Sequence, residues 1–159
     1  MKGDCMAAST QTVIHRRVDV LRKGEDPAFI ARMNTGWVVL ADPQVIPGYC
    51  LLFPDPVVPH LNALQPAEQQ AFLADMAAVG DVLLHACGAS RINYAIYGNV
   101  EPALHAHVFP RRADEPDALR MAQPWAHDWA AAPGFSMDLH NALVERLRSA
   151  FLAMTSRKN

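Results

Sequence analysis

From Ala103 to Val108 the sequence alternates with a period of two, ALHAHV, before it runs into Phe109-Pro110-Arg111. Successive side chains of a strand point to opposite faces, so Leu104, Ala106 and Val108 share one face while Ala103, His105 and His107 share the other. The first set is uniformly apolar and calls for helices packed against it. The second presents two imidazoles about 7 Å apart beside a glycine-bearing turn. Histidine titrates near neutral pH, so such a pair can divide labour between nucleophile and hydrogen-bond donor. Spacing alone leaves three readings open: a polar surface pair, two nitrogens of a metal site, and a catalytic pair. Glu101 is the carboxylate near them in the chain, and no cysteine pair assists, so the metal reading is the weakest.

The rest of the chain supplies the partners such a strand needs. Ile14, Val18 and Leu21 recur at helical spacing between Thr12 and Leu21, with Thr12 placed to cap and Gly24 and Pro27 to terminate. A second short helix is expected over Pro27–Met33. Gly36 to Leu40 reads as a strand stopped by Asp42-Pro43, and Tyr49 to Phe53 as another closed by Pro54-Asp55-Pro56. Their short connection makes them an antiparallel hairpin. Pro66 to Ala86 is a helix carrying Phe72, Met76, Val79 and Leu83 on one face and stopped by Gly88. Arg91–Tyr97 and Leu104–Phe109 are two more strands, joined through residues 98–102. Residues 111–133 are polar and proline-bearing, with Trp125 and Trp129 as their large anchors. A last helix, Met137 to about Ala153 with Ser136 as cap, carries Leu139, Leu143, Leu147 and Phe151. Hairpin-paired strands with helices between and after them define an α+β class.

Bulk composition narrows the function. At 159 residues the chain is the size of one domain, with an N-terminal helical segment at 12–33, a core at 36–112 and a C-terminal loop and helix at 113–159. A net charge of −2 offers nothing to neutralise a run of phosphates, so no nucleic-acid partner is expected. Cys5, Cys50 and Cys87 are odd in number and widely spaced, against a disulfide framework or a cysteine-rich zinc site. The first ten residues lack the apolar stretch of a signal peptide, and no later segment approaches a membrane span. The expectation is a cytoplasmic enzyme or binding protein with no membrane partner.

The string GNVEPALHAHVFPRR resembles the signature of the histidine triad (HIT) family, His-φ-His-φ-His-φ-φ, often followed by Pro-Arg. With Pro110-Arg111 as anchor, the second family histidine falls on His105, the third on His107 and the first on Ala103. Trp37 to Pro54, with Ile46-Pro47-Gly48-Tyr49 inside it, is similar to the family hairpin that ends in Pro-Gly-His; tyrosine takes the last place here. RINYAIYGN looks like the strand and turn before the histidines in bacterial members related to diadenosine polyphosphate hydrolases. The resemblance runs in order over about residues 30 to 112.

The resemblance implies an antiparallel sheet of about five strands with a long central helix and a C-terminal helix. It implies cleavage of a nucleotide at its α-phosphate through a covalent nucleotidyl-histidine, on a dinucleoside polyphosphate, a nucleoside phosphoramidate or a related conjugate. The alternative is a non-catalytic nucleotide-binding or adaptor protein. Carried over, His105 is the nucleophile and His107 serves the phosphate oxygens or the leaving group, where charge develops. Retention of His107, where the transferase branch has glutamine, points to hydrolysis. Asn99 and the backbone around Gly98 are placed to bind phosphate. Nucleoside contacts fall on Leu40 and, with a one-residue shift from Ala41, on Asp42. No cofactor is required; a divalent cation enters only as part of a polyphosphate substrate. A homodimer is implied.

Overall fold

The computed structural model describes residues 11–156. Five strands, β1 (Phe29–Arg32), β2 (Gly36–Leu40), β3 (Cys50–Pro54), β4 (Arg91–Ile96) and β5 (Ala106–Arg111), form one sheet in the order β1-β2-β3-β5-β4. Every adjacent pair is antiparallel. The helices are α1 (Val13–Arg22), α2 (Pro66–Ala86), a four-residue α3 (Asp117–Arg120) and α4 (Met137–Ser156). The α+β class and the β2–β3 and β4–β5 hairpins are as the sequence predicts. Among the described residues no helix is long and apolar enough to cross a membrane.

The two faces of the sheet are covered by different elements. Leu104, Ala106 and Val108 join Val38, Leu40, Cys50 and Leu52 in one core, with Phe72, Val79 and Leu83 from α2 and Val144, Leu147 and Phe151 from α4. On the opposite face Ile14, Val18 and Leu21 of α1 pack on Val39, Phe53 and Ala103. Buried on both sides, β2 and β3 read as near-continuous hydrophobic runs rather than alternating ones. Thr12 caps α1 through the His15 N–H (3.3 Å), and Gly24 with φ +73° turns the chain out of it. Arg17 pairs with Asp26 at 2.9 Å, and Arg22 pairs with Asp55, which also accepts from the Trp37 indole at 2.8 Å. These contacts fasten α1 across the ends of β2 and β3. The Arg22 guanidinium beside Asp55 holds that carboxyl below its usual range.

Three expectations are corrected. Pro27–Met33 is not helical: Phe29–Arg32 is edge strand β1, pairing with β2 across a register irregularity between Phe29 and Ala31. Burying Ile30 and Ala28 against the helices outweighs local propensity, and four residues are too few to display a strand period. The last strand begins at Ala106 rather than Leu104, because the Leu104 N–H bonds the Val58 carbonyl (2.7 Å) instead of joining the ladder. It continues through Pro110, beyond the last β3 pairing at Cys50–Val108, so the missing N–H has no β3 partner to lose. On α4 the buried line is His140, Val144, Leu147 and Phe151, while Leu139 is 70 % exposed. Steps of four overrun a 3.6-residue turn, and the 4-3-4 line stays on the sheet.

Gly36 begins β2 where the backbone of β3 leaves no room. A Cβ there would lie 1.9 Å from the Phe53 carbonyl oxygen. Gly36→Ala is expected to destabilise the fold by about 1–3 kcal/mol, the usual cost of overpacking, read as a lower denaturation midpoint.

Candidate active site

The site grows from the outward face of β5 and the loop that leads into it. With Leu104, Ala106 and Val108 committed to the core, Ala103, His105 and His107 face away from α2 and α4. His105 lies just before β5, and the two imidazole centroids are 4.8 Å apart. Both line a cavity of about 490 Å³ together with Tyr97, Asn99, Val100, Glu101, Gln123 and Trp125.

Each histidine has its Nδ1 occupied. His105, 7 % exposed, has Nδ1 at 2.8 Å from the Ala103 carbonyl oxygen. A carbonyl only accepts, so Nδ1 carries a hydrogen, and in the neutral ring the lone pair falls on Nε2. His107 Nδ1 lies 2.6 Å from the Tyr49 hydroxyl. Burial, reinforced by His105, lowers the His107 pKa to about 4, and burial raises that of the Tyr49 phenol above its usual value. The phenol therefore keeps its proton and donates it to Nδ1, which puts the His107 hydrogen on Nε2. One ring offers a lone pair and the other a donor.

Tyr49 is held for this contact. Gln44, buried, donates from Nε2 to the carbonyls of Ala41 (2.7 Å) and Tyr49 (2.9 Å) and accepts from the Gly48 N–H (3.0 Å). Gly48 at φ +94° makes the turn, and the Tyr49 ring stacks on Phe109 at 4.2 Å. The sequence shows tyrosine in the histidine's place but gives no sign of its partner. That partner lies 58 positions away.

Arg111 organises the far wall. Buried on the outer face, its guanidinium binds Glu115 (2.7 Å), Asn93 Oδ1 (2.8 Å) and the carbonyls of Leu119 (2.6 Å) and Ala122 (2.8 Å). The segment so fastened carries Gln123 into the cavity wall and sets Trp125 edge-on to Tyr97 (4.8 Å) and His107 (5.5 Å). The signal in the sequence was Glu115, four residues after Arg111.

The remaining expected residues divide. Asn99 lines the cavity; Gly98 precedes it in the exposed turn, and a Cβ there would meet nothing within 4 Å. Leu40 is fully buried in the core beneath α2 and α4, on the face away from the histidines. Asp42 is exposed and accepts from the Phe135 N–H at 2.9 Å. Neither Leu40 nor Asp42 is brought to the cavity. Ala103 is 1 % exposed, closed over by α1. Among the described residues no group of three or more His, Cys, Asp or Glu is placed to hold a metal ion.

Residues 24–114 match the HIT domain. The chain belongs to the HIT domain family. Solved structures share the fold at low identity. A histidine triad protein from Sinorhizobium meliloti is 23 % identical, with TM-score 0.65 over 82 % of this chain and 93 % of its own. One from Marinobacter aquaeolei is 18 % identical, with TM-score 0.68 over 87 % and 95 %. A hypothetical histidine triad nucleotide-binding protein from Sulfolobus tokodaii is 15 % identical, with TM-score 0.67 over 86 % and 91 %. No curated protein gives a significant match. Helix α1 and the segment from Glu115 onward lie outside the matched HIT domain.

Two outcomes are expected. Ala103→His forces an imidazole between α1 and the sheet and should cost about 1–3 kcal/mol of stability by denaturant unfolding; an unchanged midpoint would show the position to be open. His107 has a folded pKa below its unfolded value, so its contribution is full above pH ~6.5 and is lost as pH falls toward about 4. Between pH 7 and 4.5 the wild type should lose about 2–3 kcal/mol more stability than His107→Gln.

Proposed function

We propose that the protein is a nucleotidyl hydrolase that cleaves its substrate at the α-phosphate through a covalent nucleotidyl-histidine on His105. The observation that carries this reading is the His105 Nδ1–Ala103 carbonyl bond (2.8 Å). It comes from the backbone, so it survives the absence of a histidine side chain at 103. It leaves Nε2 nucleophilic and stabilises the positive charge the ring acquires when that nitrogen is phosphorylated.

In the first step a bond forms between His105 Nε2 and phosphorus as the bond to the leaving group breaks. His107 Nε2–H donates to the phosphate oxygens or to the departing atom. Asn99 and the open turn at Gly98 supply further donors to the phosphate. Water then displaces His105, releasing the nucleoside monophosphate and restoring the neutral imidazole. His107 enters neutral, so it acts as a hydrogen-bond donor rather than as a fixed cation. The chemistry needs no resident cofactor, and a divalent cation arrives with a polyphosphate substrate. The homodimer implied by the family resemblance belongs to the same proposal; β4 lies at the sheet edge, where its outer backbone groups are free to pair.

A non-catalytic nucleotide-binding role is the second reading. It is favoured by Asp42, which is committed to the Phe135 N–H rather than to a ribose.

Incubation with fluorogenic adenosine phosphoramidate and with diadenosine tetraphosphate separates the two. Wild type is expected to turn over at least one of them and to yield a protein adduct one nucleotidyl group heavier by mass spectrometry. His105→Ala is expected to do neither. Turnover that persists in the variant would remove His105 as nucleophile, and AMP binding without turnover in the wild type would establish the second reading.

A further inference from the structure

We propose that a second cavity beside the histidine pair is a subsite for the polyphosphate of the leaving group, gripped by Arg91 and Arg120. The proposal rests on the hydrolytic reading above and selects, among its substrates, those whose leaving group is a chain of phosphates.

The second cavity, about 370 Å³, shares Tyr97, Gln123 and Trp125 with the first. The two are therefore neighbours along one face of the sheet. Register fixes their separation: Ala95 pairs with His107 and Arg91 with Arg111, so Arg91 stands four residues along from the histidine row on the same face. Four residues of strand are about 13 Å. A ligand whose α-phosphorus sits at His105 and whose tail follows β4 and β5 reaches Arg91.

Charge distinguishes the two cavities. No lysine or arginine lines the first, where Glu101 is the one acidic side chain, so a polyanion has no cation there. The second is lined by three arginines, of which Arg111 is spent on Glu115. Arg91 is exposed and, among the described residues, makes no side-chain hydrogen bond or ion pair. Arg120 pairs with Asp117 at 3.1 Å, but both are well exposed, and such a pair holds weakly against a phosphate. The two guanidinium groups come from different elements, β4 and α3, and both residues line the cavity. Planar guanidinium forks suit phosphate oxygens, and two of them suit more than one phosphate.

The grip is also prepared in advance. Arg111 holds the carbonyls of Leu119 and Ala122, on either side of Arg120, so the backbone that presents Arg120 is fastened to the sheet. That segment lies beyond the matched HIT domain.

The test is Arg91→Ala/Arg120→Ala, two exposed positions whose loss leaves the core intact. For diadenosine tetraphosphate the double variant is expected to raise KM about tenfold or more and to flatten its dependence on salt. Turnover of an adenosine phosphoramidate with an uncharged amine leaving group is expected to stay unchanged. No change with the tetraphosphate, or an equal loss with both substrates, would overturn the subsite. A binding measurement reads it without catalysis. Calorimetry on His105→Ala protein should show inorganic tripolyphosphate binding more tightly than orthophosphate, and weakening about tenfold when both arginines are removed. Equal affinity with and without the arginines would overturn the proposal. Arginine-dependent tripolyphosphate binding in a wild type that hydrolyses neither substrate would uphold the subsite and overturn the hydrolase.

Discussion

Everything at the site depends on the burial of three small and medium apolar side chains, Leu104, Ala106 and Val108, beneath α2 and α4. Their commitment to the core fixes which way the chain from 103 to 111 faces. A slip of one residue would drive His105 and His107 into a dry core and expose Val108, so the register is defended by the whole hydrophobic layer. Once the inner face is set, the outer row follows as Ala103, His105, His107, Phe109 and Arg111. Each of these meets a different neighbour: α1, the cavity, Tyr49, the aromatic stack and the C-terminal segment.

The histidine pair is notable for how its protonation is arranged. Neither imidazole leans on a carboxylate. One is oriented by a backbone carbonyl and the other by a phenol, both poor partners for a charged ring compared with an aspartate. Burial then keeps the His107 ring neutral, with its hydrogen on Nε2. Tyrosine at 49 and alanine at 103 stand where the family resemblance implies histidines, so neither position places a further imidazole beside the pair. The space at 103 goes to the apolar face of α1.

The sequence made the site's centre legible because strand alternation is a local property, visible in six residues. The same was true of α1 and α2, whose caps and stripes repeat over several turns. It was less informative where a contact joins distant segments. Tyr49 and His107 are adjacent through a pairing of β3 with β5 that no local pattern announces. Leu40 and Asp42 were drawn toward the nucleotide by resemblance, but alternation turns Leu40 inward and the Phe135 amide claims Asp42. Strand β1 has only four residues, too few for a strand period to show in the sequence. On α4, a visually regular ladder of leucines and one phenylalanine hid the line that actually meets the sheet.

The Arg111 clamp carries a consequence for how such a protein can change. One guanidinium suspends the partition shared by both cavities, with Glu115 as its counter-ion and two carbonyls as its fixings. A shift of that partition therefore reshapes both cavities together. An insertion between Arg112 and Leu119 would leave the sheet untouched yet shift Arg120, Gln123 and Trp125 in a single movement. Divergence in substrate length along this lineage is thus expected to proceed by replacing the partition whole, while point changes within it are held to small adjustments.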